Sequence, residues 1–335
     1  MAPPQISVIV PTRNRRQLLS QTLGSVLAQR GVALEIIVVD EATDEPAALD
    51  YLERAQSDPR VTLVRHDTPR GVAEAYNSGI SRVQTPWTAF CDDDDLWAPD
   101  KLARQFAALA ADPDAAWSCT GAVDVDSTGR HIVAWQAPPR ARDVYRALLT
   151  DYVIPAARST IVVSTDCLRQ VGPFQARLAH TDDWDMWLRL AAVAPLATVD
   201  APLAAYRRHS SSMMHTGYRH SGASQLFALE HADARRRVGL DFVEDRDQLK
   251  KSAFLSLESG QRRRALVDYV QLSARTRQMK LAAVGISAFL APRRTLAHHR
   301  ARLLRQAPPH YLAEAQSWLA ELRPAEWSGT GAPAA

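Results

Sequence analysis

The sequence has few cysteines and no long hydrophobic run. Its 335 residues include three cysteines, Cys91, Cys119 and Cys167, which are widely spaced and form no Cys-x-x-Cys pair. We therefore expect neither a disulfide framework nor a cysteine zinc site, and this pattern fits a reducing cytoplasm. The apolar stretch at residues 281–290 is much shorter than the roughly 20 residues needed to cross a membrane. The N-terminus also lacks the basic and apolar regions of a signal peptide.

The chain also lacks a large net charge, since 40 Lys and Arg against 37 Asp and Glu give +3. The charge is unevenly distributed. Residues 1–220 carry 22 basic and 26 acidic side chains, whereas residues 221–335 carry 18 basic and 11 acidic ones. With no recognised nucleic-acid motif present, we expect no nucleic-acid partner. The asymmetry indicates two regions with different roles.

Strand-like and helix-like patterns alternate over the first 120 residues. Buried strands are predicted at residues 6–10, 35–39, 61–64 and 87–90, with helices between them. This order is typical of an α/β fold with a mostly parallel central sheet and helices on both faces. Ligands bind such sheets at the carboxyl ends of the strands. Polar residues at three of these ends, Thr12, Asp40 and Asp92 to Asp95, predict a nucleotide site.

The remainder of the chain is predicted to contain a mixed middle section and a helical end. A hairpin is expected over residues 123–135, with its turn at residues 127–129. From about residue 222 the pattern is helical. We expect a catalytic domain over residues 1–220, a basic helical extension over 221–326 and a disordered tail over 327–335.

Four consecutive carboxylates, Asp92 to Asp95, are the strongest chemical signal. Such a run repels itself, and at the end of a buried strand it is costly unless a cation neutralises it. Mg²⁺ or Mn²⁺ would do so and would also bridge the phosphates of a nucleotide. The alternative is a solvated acidic loop. The strand before the run and the Leu96-Trp97 pair after it favour the cation.

Five motifs together resemble family 2 glycosyltransferases of the GT-A fold. They are Ile6 to Asn14, Ile36 to Asp40, Gly71 to Ile80, Phe90 to Trp97, and Asp182 to Arg189 followed by Tyr206 to His209. The resemblance covers about residues 5–215. It implies a metal-dependent, inverting enzyme that uses a nucleotide-diphosphate sugar and a carbohydrate or lipid-linked acceptor. Surface polysaccharide or glycoconjugate biosynthesis is the setting that it implies.

The resemblance also implies roles for individual residues. Asp183 is the expected catalytic base, with Asp182 and Asp185 as competitors in the same motif, and Asp94 and His209 are the expected metal ligands. The residues expected to contact the nucleotide sugar are Pro11, Thr12, Asn14, Asp40, Arg70, Asn77, Asp92 and Asp93. The sequence departs from the family pattern at Glu41, where Asp is usual, and at Tyr76, where many members have Arg.

Three alternatives remain open. The basic segment 260–305 contains eleven Lys and Arg and one acidic residue, so it predicts either peripheral contact with the inner face of the membrane or a buried helix with solvated charges. A catalytically inactive scaffold or partner subunit would share the same motifs. The Asp124-Val-Asp126 sequence is similar to the nucleophile motif of haloacid-dehalogenase-type phosphatases, although a hairpin suits that segment better.

Overall fold

The computed structural model describes residues 5–126, 130–138, 144–150, 152–178, 181–209 and 309–322. These residues belong to one compact unit. The predicted extension and tail lie outside the described residues except for positions 309–322. In the described part of the chain, no helix combines the length and the apolar character needed to cross a membrane.

The first half of the unit has the predicted alternation of strands and helices. Its elements are β1 (Ile6–Thr12), α1 (Arg16–Leu27), β2 (Leu34–Asp40), α2 (Pro46–Ala55), β3 (Val61–Arg65), α3 (Val72–Ile80) and β4 (Trp87–Phe90). β2 pairs with β3, and β1 pairs with β2 and β4, all in parallel. The α/β prediction is confirmed over this region.

The second half adds shorter and more varied elements. They are β5 (Leu96–Trp97), α4 (Lys101–Ala111), β6 (Trp117–Val125), β7 (His131–Trp135), α5 (Val144–Thr150), β8 (Ile161–Ser164), α6 (Thr165–Val171), α7 (Asp182–Val193), β9 (Leu196–Arg207) and α8 (Pro309–Glu321). Two 3-10 helices lie at Ala157–Thr160 and Ala176–Leu178. β6 and β7 form the predicted antiparallel hairpin, whose turn lies outside the described residues.

The nine strands form a single sheet in the order β3-β2-β1-β4-β8-β6-β9-β5, with β7 paired to β6. The sheet is parallel from β3 to β4 and between β6 and β9, whereas β8 is antiparallel to both of its neighbours. The expected parallel arrangement therefore holds throughout the first four strands, whereas the rest of the sheet mixes parallel and antiparallel pairs. A short apolar run such as that of β8 predicts a buried strand but carries no information on its direction.

The core lies on both faces of the central strands. Every residue of β1 is buried, and full burial of a valine or isoleucine side chain stabilises a fold by about 1.5–3 kcal/mol. A second apolar cluster lies between β9 and α8, where Trp318 Nε1 donates to the Pro202 carbonyl at 2.8 Å. Helix α8 thus packs on the same sheet as the N-terminal strands, although it falls within the predicted extension.

Candidate active site

Three strand ends meet at one edge of the sheet. Thr12 ends β1 and Asp40 ends β2, and the two residues are opposite each other in the parallel register. β4 lies on the other side of β1 and leads into residues Asp92 to Asp95, which we call the acid loop. The structure therefore brings together the polar strand ends that the sequence pointed out.

Asp93 and Asp94 are held by positive and hydroxyl donors from outside the acid loop. The hydroxyl of Thr12 donates to Asp93 at 2.7 Å. The guanidinium of Arg15 bridges the two carboxylates, at 2.8 Å from Asp93 and 3.0 Å from Asp94. His209 Nε2 lies 2.9 Å from Asp94 Oδ2. Residues from β1, from the loop before α1 and from the chain after β9 thus converge on two adjacent aspartates.

Asp92 and Asp95, the outer members of the acid loop, each accept a hydrogen bond from a side-chain hydroxyl group. Asp92 accepts a hydrogen bond of 2.7 Å from the Tyr76 hydroxyl. Asp95 accepts bonds from the Ser159 hydroxyl at 2.5 Å and from the Arg207 backbone N–H at 3.3 Å. Burial raises the pKa of Asp95 well above that of an ordinary carboxyl group. Asp95 therefore anchors the loop and is not presented to a ligand.

The acid loop distributes its charge unequally. Burial raises the pKa of Asp92 and of Asp93 to about 6. Burial acts on Asp94 in the same direction, but the hydrogen bond from His209 and the charge of Arg15 outweigh it and lower the pKa of Asp94. Asp94 is thus the carboxylate of the loop that remains ionised most readily, which is the state that a cation binds.

The second acidic motif forms the first turn of α7. Asp182 forms an ion pair with Arg158 at 2.5 Å, and Asp185 forms one with Arg189 at 2.8 Å. An acidic first turn is also favoured by the helix dipole. Two of the three candidate bases therefore have an arginine as a direct partner, which sets Asp183 apart.

Asp183 is held by two uncharged donors. The Tyr152 hydroxyl donates to its Oδ2 at 2.7 Å, and the backbone N–H of Trp184 donates to its Oδ1 at 2.8 Å. Burial raises the pKa of Asp183, and the nearby charge of Arg158 opposes that rise. A buried carboxylate with a raised pKa and a fixed orientation has the properties of a general base.

Asp40 has a buried carboxylate oxygen that nothing in the described residues satisfies. Its Oδ1 accepts from the Thr43 N–H at 2.9 Å, and its Oδ2 lies 3.5 Å from Arg65 Nε without forming a hydrogen bond. A buried acceptor that receives no hydrogen bond costs about 1–3 kcal/mol, and the 3.5 Å ion pair with the half-exposed Arg65 offsets only part of that cost. A ligand N–H would remove that cost, so this oxygen is suited to bind a nucleotide base.

The other predicted binding residues are engaged in local structure. Asn14 has a left-handed backbone with φ of 54° and binds Asp44 through its side-chain amide. The backbone N–H of Arg70 donates to Glu41, and its side chain is exposed. Pro11 lies within β1.

Asn77 is tied to a distant segment of the chain. Its amide donates to the Phe174 carbonyl at 3.0 Å and accepts from the Phe174 N–H at 2.8 Å. Both halves of the amide are therefore used to join α3 to the segment after α6. The structure does not bring this side chain to the acid loop, and its role in nucleotide binding stays a prediction.

Several residues of the site were missed from sequence. Arg15, Tyr152, Arg158 and Ser159 all contact the two acidic motifs. Arg15 follows a strand end that was singled out, so its position offered a signal. Residues 152–159 have no such signal, because their contacts lie 24 to 67 residues away in the chain.

Asp124, the residue of the phosphatase alternative, is the penultimate residue of β6 and does not follow the first strand of the domain, where such a nucleophile is expected. Its carboxylate accepts from Trp135 Nε1 at 2.9 Å and pairs with Arg208. A phosphatase nucleophile must be accessible to a phosphate ester. The carboxylate of Asp124 is instead engaged in contacts that join the β6–β7 hairpin to the residue after β9.

A sequence model of the family described as "Glycosyl transferase family 2" matches residues 7–160. That segment contains β1, β2, the acid loop and the Arg158–Ser159 pair. Residues 7–160 therefore belong to a family 2 glycosyltransferase domain. The resemblance drawn from the motifs is thereby confirmed.

Curated relatives of this glycosyltransferase domain belong to several bacteria. An "Uncharacterized glycosyltransferase" of Haemophilus influenzae is 26% identical over 55% of this chain and 61% of its own length. The "Succinoglycan biosynthesis protein ExoO" of Rhizobium meliloti is 37% identical over 30% of this chain and 28% of its own length. "UDP-Glc:alpha-D-GlcNAc-diphosphoundecaprenol beta-1,3-glucosyltransferase WfgD" of Escherichia coli is 25% identical over 55% of this chain and 69% of its own length. The first two matches span less than two thirds of those proteins.

Solved structures share the fold of the glycosyltransferase domain. TarS residues 1–349 from S. aureus, in complex with UDP-GlcNAc, give a TM-score of 0.57 at 16% identity, with 95% of this chain and 91% of that chain covered. The mannosyltransferase PcManGT from Pyrobaculum calidifontis, in complex with GDP-Man and Mn²⁺, gives 0.51 at 20% identity, with 95% and 86% covered. These are glycosyltransferases of the GT-A fold, so the predicted fold class is confirmed.

The residues around Asp94 fit a divalent cation that a substrate helps to bind. A carboxylate oxygen of Asp94 and the imidazole Nε2 of His209 lie 2.9 Å apart, and both are ligand types for Mn²⁺. In the ranges that the structure describes, no group of three or more His, Cys, Asp or Glu side chains is arranged to hold an ion by itself. One or two protein ligands are sufficient where substrate phosphates complete the coordination shell.

Proposed function

We propose that the protein transfers a sugar from a nucleotide-diphosphate sugar to a hydroxyl group of a carbohydrate or lipid-linked acceptor, with inversion at the anomeric carbon. The observation that supports this proposal is the convergence of two acidic motifs, the acid loop and the first turn of α7, through Arg158 and Ser159. A donor-binding side and a base side in one site are what a single displacement requires.

On the donor side, Asp40 is proposed to accept from the ring N–H of the base through its unsatisfied Oδ2. Thr12 and Asp93, joined by a 2.7 Å hydrogen bond, form the adjacent wall, and Asp92 is proposed to contact the ribose. Pro11, Asn14, Arg70 and Asn77 remain further candidates for contact with the nucleotide sugar.

Asp94 and His209 are proposed to hold Mn²⁺ or Mg²⁺. When bound, the cation would stabilise the charge of the departing diphosphate as a Lewis acid. In the described residues, Arg15 already compensates part of the charge of the acid loop through its contacts with Asp93 and Asp94. It therefore keeps the two carboxylates together before any ligand binds.

On the acceptor side, Asp183 is proposed to remove the proton of the attacking hydroxyl group. The attacking oxygen then forms a bond to the anomeric carbon while the bond to the diphosphate breaks on the opposite face, which inverts the configuration. The Tyr152 hydroxyl orients the carboxylate through the 2.7 Å hydrogen bond. A pKa raised by burial makes Asp183 a stronger base than a surface aspartate.

The proposed setting is surface polysaccharide biosynthesis on the cytoplasmic side of the membrane. It is supported by the succinoglycan biosynthesis protein ExoO of Rhizobium meliloti and by WcaA of Escherichia coli, named a "Putative colanic acid biosynthesis glycosyl transferase", to both of which this chain is similar. Contact with a membrane through residues 260–305 is part of this proposal, and that segment lies outside the described residues.

The proposal is tested with a panel of UDP-glucose, UDP-GlcNAc and GDP-mannose, with and without Mn²⁺. A donor that binds the native state raises the unfolding temperature by mass action, and slow transfer to water releases nucleoside diphosphate. We expect both signals for at least one donor. NMR should show that the first sugar anomer released has the opposite anomeric configuration to the donor. An Asp183→Asn variant should lose turnover and keep the thermal shift, and the exposed Asp114→Asn variant serves as a control. Turnover unchanged in Asp183→Asn would refute the assignment of the base.

A further inference from the structure

Two consecutive residues of the 3-10 helix Ala157–Thr160 connect the acidic motifs. Arg158 donates from Nη2 to Asp182 Oδ2 at 2.5 Å. Ser159 donates to Asp95 at 2.5 Å and accepts from the Asp92 backbone N–H at 3.1 Å. Arg158 therefore contacts the first turn of α7, while its neighbour fixes both ends of the acid loop.

The guanidinium of Arg158 is enclosed by aromatic rings. Its central carbon lies 5.2 Å from the ring centre of Tyr76 and 5.6 Å from that of Phe174, and its side chain is only 6% exposed. Tyr76 in turn donates to Asp92. A planar guanidinium that packs against two neighbouring rings is restricted in orientation, so Arg158 is a rigid link between the two motifs.

The ion pair between Arg158 and Asp182 is not arranged for greatest stability. Within the described residues, Arg158 Nε and Asp182 Oδ1 are buried and have no hydrogen-bond partner. The attraction within a buried ion pair offsets the cost of removing both charges from water only when the remaining polar atoms also form hydrogen bonds. The pair is therefore weak evidence for a stabilising role, and we look for its effect in where it places the charges.

The backbone before Arg158 is strained as well. Ala156 and Ala157 both have φ of 46°, in the left-handed region that residues with a side chain seldom adopt. Such positions cost of the order of 1–3 kcal/mol each and persist where surrounding contacts enforce them. This turn directs Arg158 and Ser159 towards their carboxylate partners.

We propose that Arg158 is a positioning residue for sugar transfer, which fixes the first turn of α7 through Asp182 and thereby sets the place and the charge environment of Asp183. This inference rests on the proposed role of Asp183 as the base. It adds to that role a residue that touches neither donor nor acceptor.

The groups that face Asp183 determine what loss of Arg158 should do. They are Arg158 and Asp182, the Tyr152 hydroxyl, the Trp184 N–H and, at longer range, Asp92. After burial, the charge of Arg158 is the largest influence on the pKa of Asp183, and it lowers that pKa. Its removal should therefore raise the pKa of Asp183 further.

The test measures the titration of Asp183 directly and needs no known acceptor. Protein labelled with ¹³C at the aspartate carboxyl carbons is titrated by NMR, with the Asp183 signal assigned by its loss in Asp183→Asn. An opposite charge nearby shifts a carboxyl pKa by about 1–3 units, so in Arg158→Gln the midpoint should rise by about one unit or more. In Arg158→Lys, which keeps the charge, it should rise less.

Turnover of the donor found in the panel supplies the second readout. The acidic limb of the pH–rate profile should move upward in Arg158→Gln, with kcat reduced about tenfold or more at pH 6.5, because positioning errors act on the chemical step. The KM for the donor should change less. Arg158→Lys should recover part of kcat.

Two further variants separate positioning from folding. Arg189→Gln removes the other arginine that pairs with α7, through Asp185, and should lower stability without moving the Asp183 midpoint. Arg158→Gln combined with Asp182→Asn leaves no unpaired buried charge, so it should fold better than the single variant. Its Asp183 midpoint should still exceed that of the wild type, because the influence of Arg158 is greater than that of Asp182.

An Asp183 midpoint in Arg158→Gln equal to that of the wild type would overturn the inference, as would an equal shift in Arg189→Gln. Failure of the proposed function looks different. In that case Asp183→Asn would turn over the donor normally, whatever the NMR titration of the Arg158 variants shows.

Discussion

The Tyr152 hydroxyl donates a 2.7 Å hydrogen bond to the carboxylate of Asp183, and the two residues are 31 positions apart in the chain. Tyr152 also receives a weaker contact from Trp187 Nε1 at 3.4 Å. Burial raises the pKa of the Tyr152 hydroxyl well above its ordinary value. The hydroxyl therefore remains a donor over the working pH range and keeps one oxygen of Asp183 in place.

Tyr152→Phe removes this donor and leaves the ring. The hydrogen bond lowers the pKa of Asp183, although less than Arg158 does. We expect the acidic limb of the pH–rate profile to move to higher pH and kcat to fall by about tenfold or more. Tenfold corresponds to about 1.4 kcal/mol, and a hydrogen bond to a charged group contributes about 1.5–3 kcal/mol. The donor-induced thermal shift should be unchanged. An unaltered profile would mean that Tyr152 only fills space.

Asp94→Ala tests the proposed metal ligands without a need for turnover. The variant loses the carboxylate that remains ionised most readily in the acid loop. We expect UDP and Mn²⁺ together to raise the unfolding temperature of the wild type by several degrees and that of the variant by little, since stabilisation follows affinity. His209→Ala should weaken the effect in the same direction.

The control for this experiment is Asp114→Asn, which changes an exposed aspartate outside the site. It should respond to UDP and Mn²⁺ as the wild type does. If UDP and Mn²⁺ raised the unfolding temperature of Asp94→Ala as much as that of the wild type, the assignment of Asp94 as a metal ligand would be wrong.

How far the sequence predicts this molecule depends on the range of the contacts. β1 to β4 and the acid loop follow from local patterns, since apolar runs, helical spacing and a run of carboxylates are read within a dozen residues. The meeting of Thr12 with Asp40 follows too, because carboxyl ends of parallel strands share an edge.

The parts that could not be predicted depend on distant contacts. The direction of β8 is set by pairing with both β4 and β6, and an apolar run of four residues is compatible with either direction. Arg158 has no local feature that marks it, because its partner Asp182 is 24 residues away. Helix α8 packs on β9 across more than 100 residues of chain, which a change in composition near residue 220 does not reveal.

A buried lysine gives the fold a dependence on pH that is separate from the active site. Lys101 is fully buried, donates to Gln105 at 2.7 Å and lies 3.9 Å from the centre of the Trp97 ring. Burial lowers the pKa of Lys101 to about 7. In the unfolded chain the pKa of a lysine is near 10.4. Between about pH 7 and 10.4, Lys101 is therefore protonated in the unfolded chain and neutral in the folded protein, so the free energy of unfolding rises with pH above about 7.

Lys101→Met should remove this dependence. Relative to the variant, the wild type should gain free energy of unfolding from pH 7 to 8.5, with a limiting slope of about 1.4 kcal/mol per pH unit. Below pH 7 the difference between the two proteins should be constant and least favourable to the wild type. Urea unfolding at pH 6, 7 and 8.5 measures this difference. A difference that does not vary with pH would show that the folded protein keeps Lys101 protonated throughout this range, as the unfolded chain does.

Two helical glycines provide a matched pair for the packing of the central sheet. A Cβ at Gly24 of α1 would meet no atom within 4 Å, whereas a Cβ at Gly79 of α3 would lie 2.3 Å from Cγ2 of Ile9 in β1. Gly24→Ala should raise stability by about 0.5–1 kcal/mol, the difference in helix propensity. Gly79→Ala gains the same propensity, but overpacking against the buried strand costs about 1–3 kcal/mol.

The unfolding temperatures of the two variants should therefore move in opposite directions. Ile9→Ala removes Cγ2 and Cγ1, the two nearest atoms that a Cβ at Gly79 would meet. In that background Gly79→Ala should therefore cost less than it does alone. Residues in contact show such coupling, while distant ones add independently. Gly24→Ala should have the same effect in both backgrounds, since it contacts neither residue. Additive behaviour of Gly79→Ala and Ile9→Ala would mean that β1 and α3 move apart and do not resist the added methyl group.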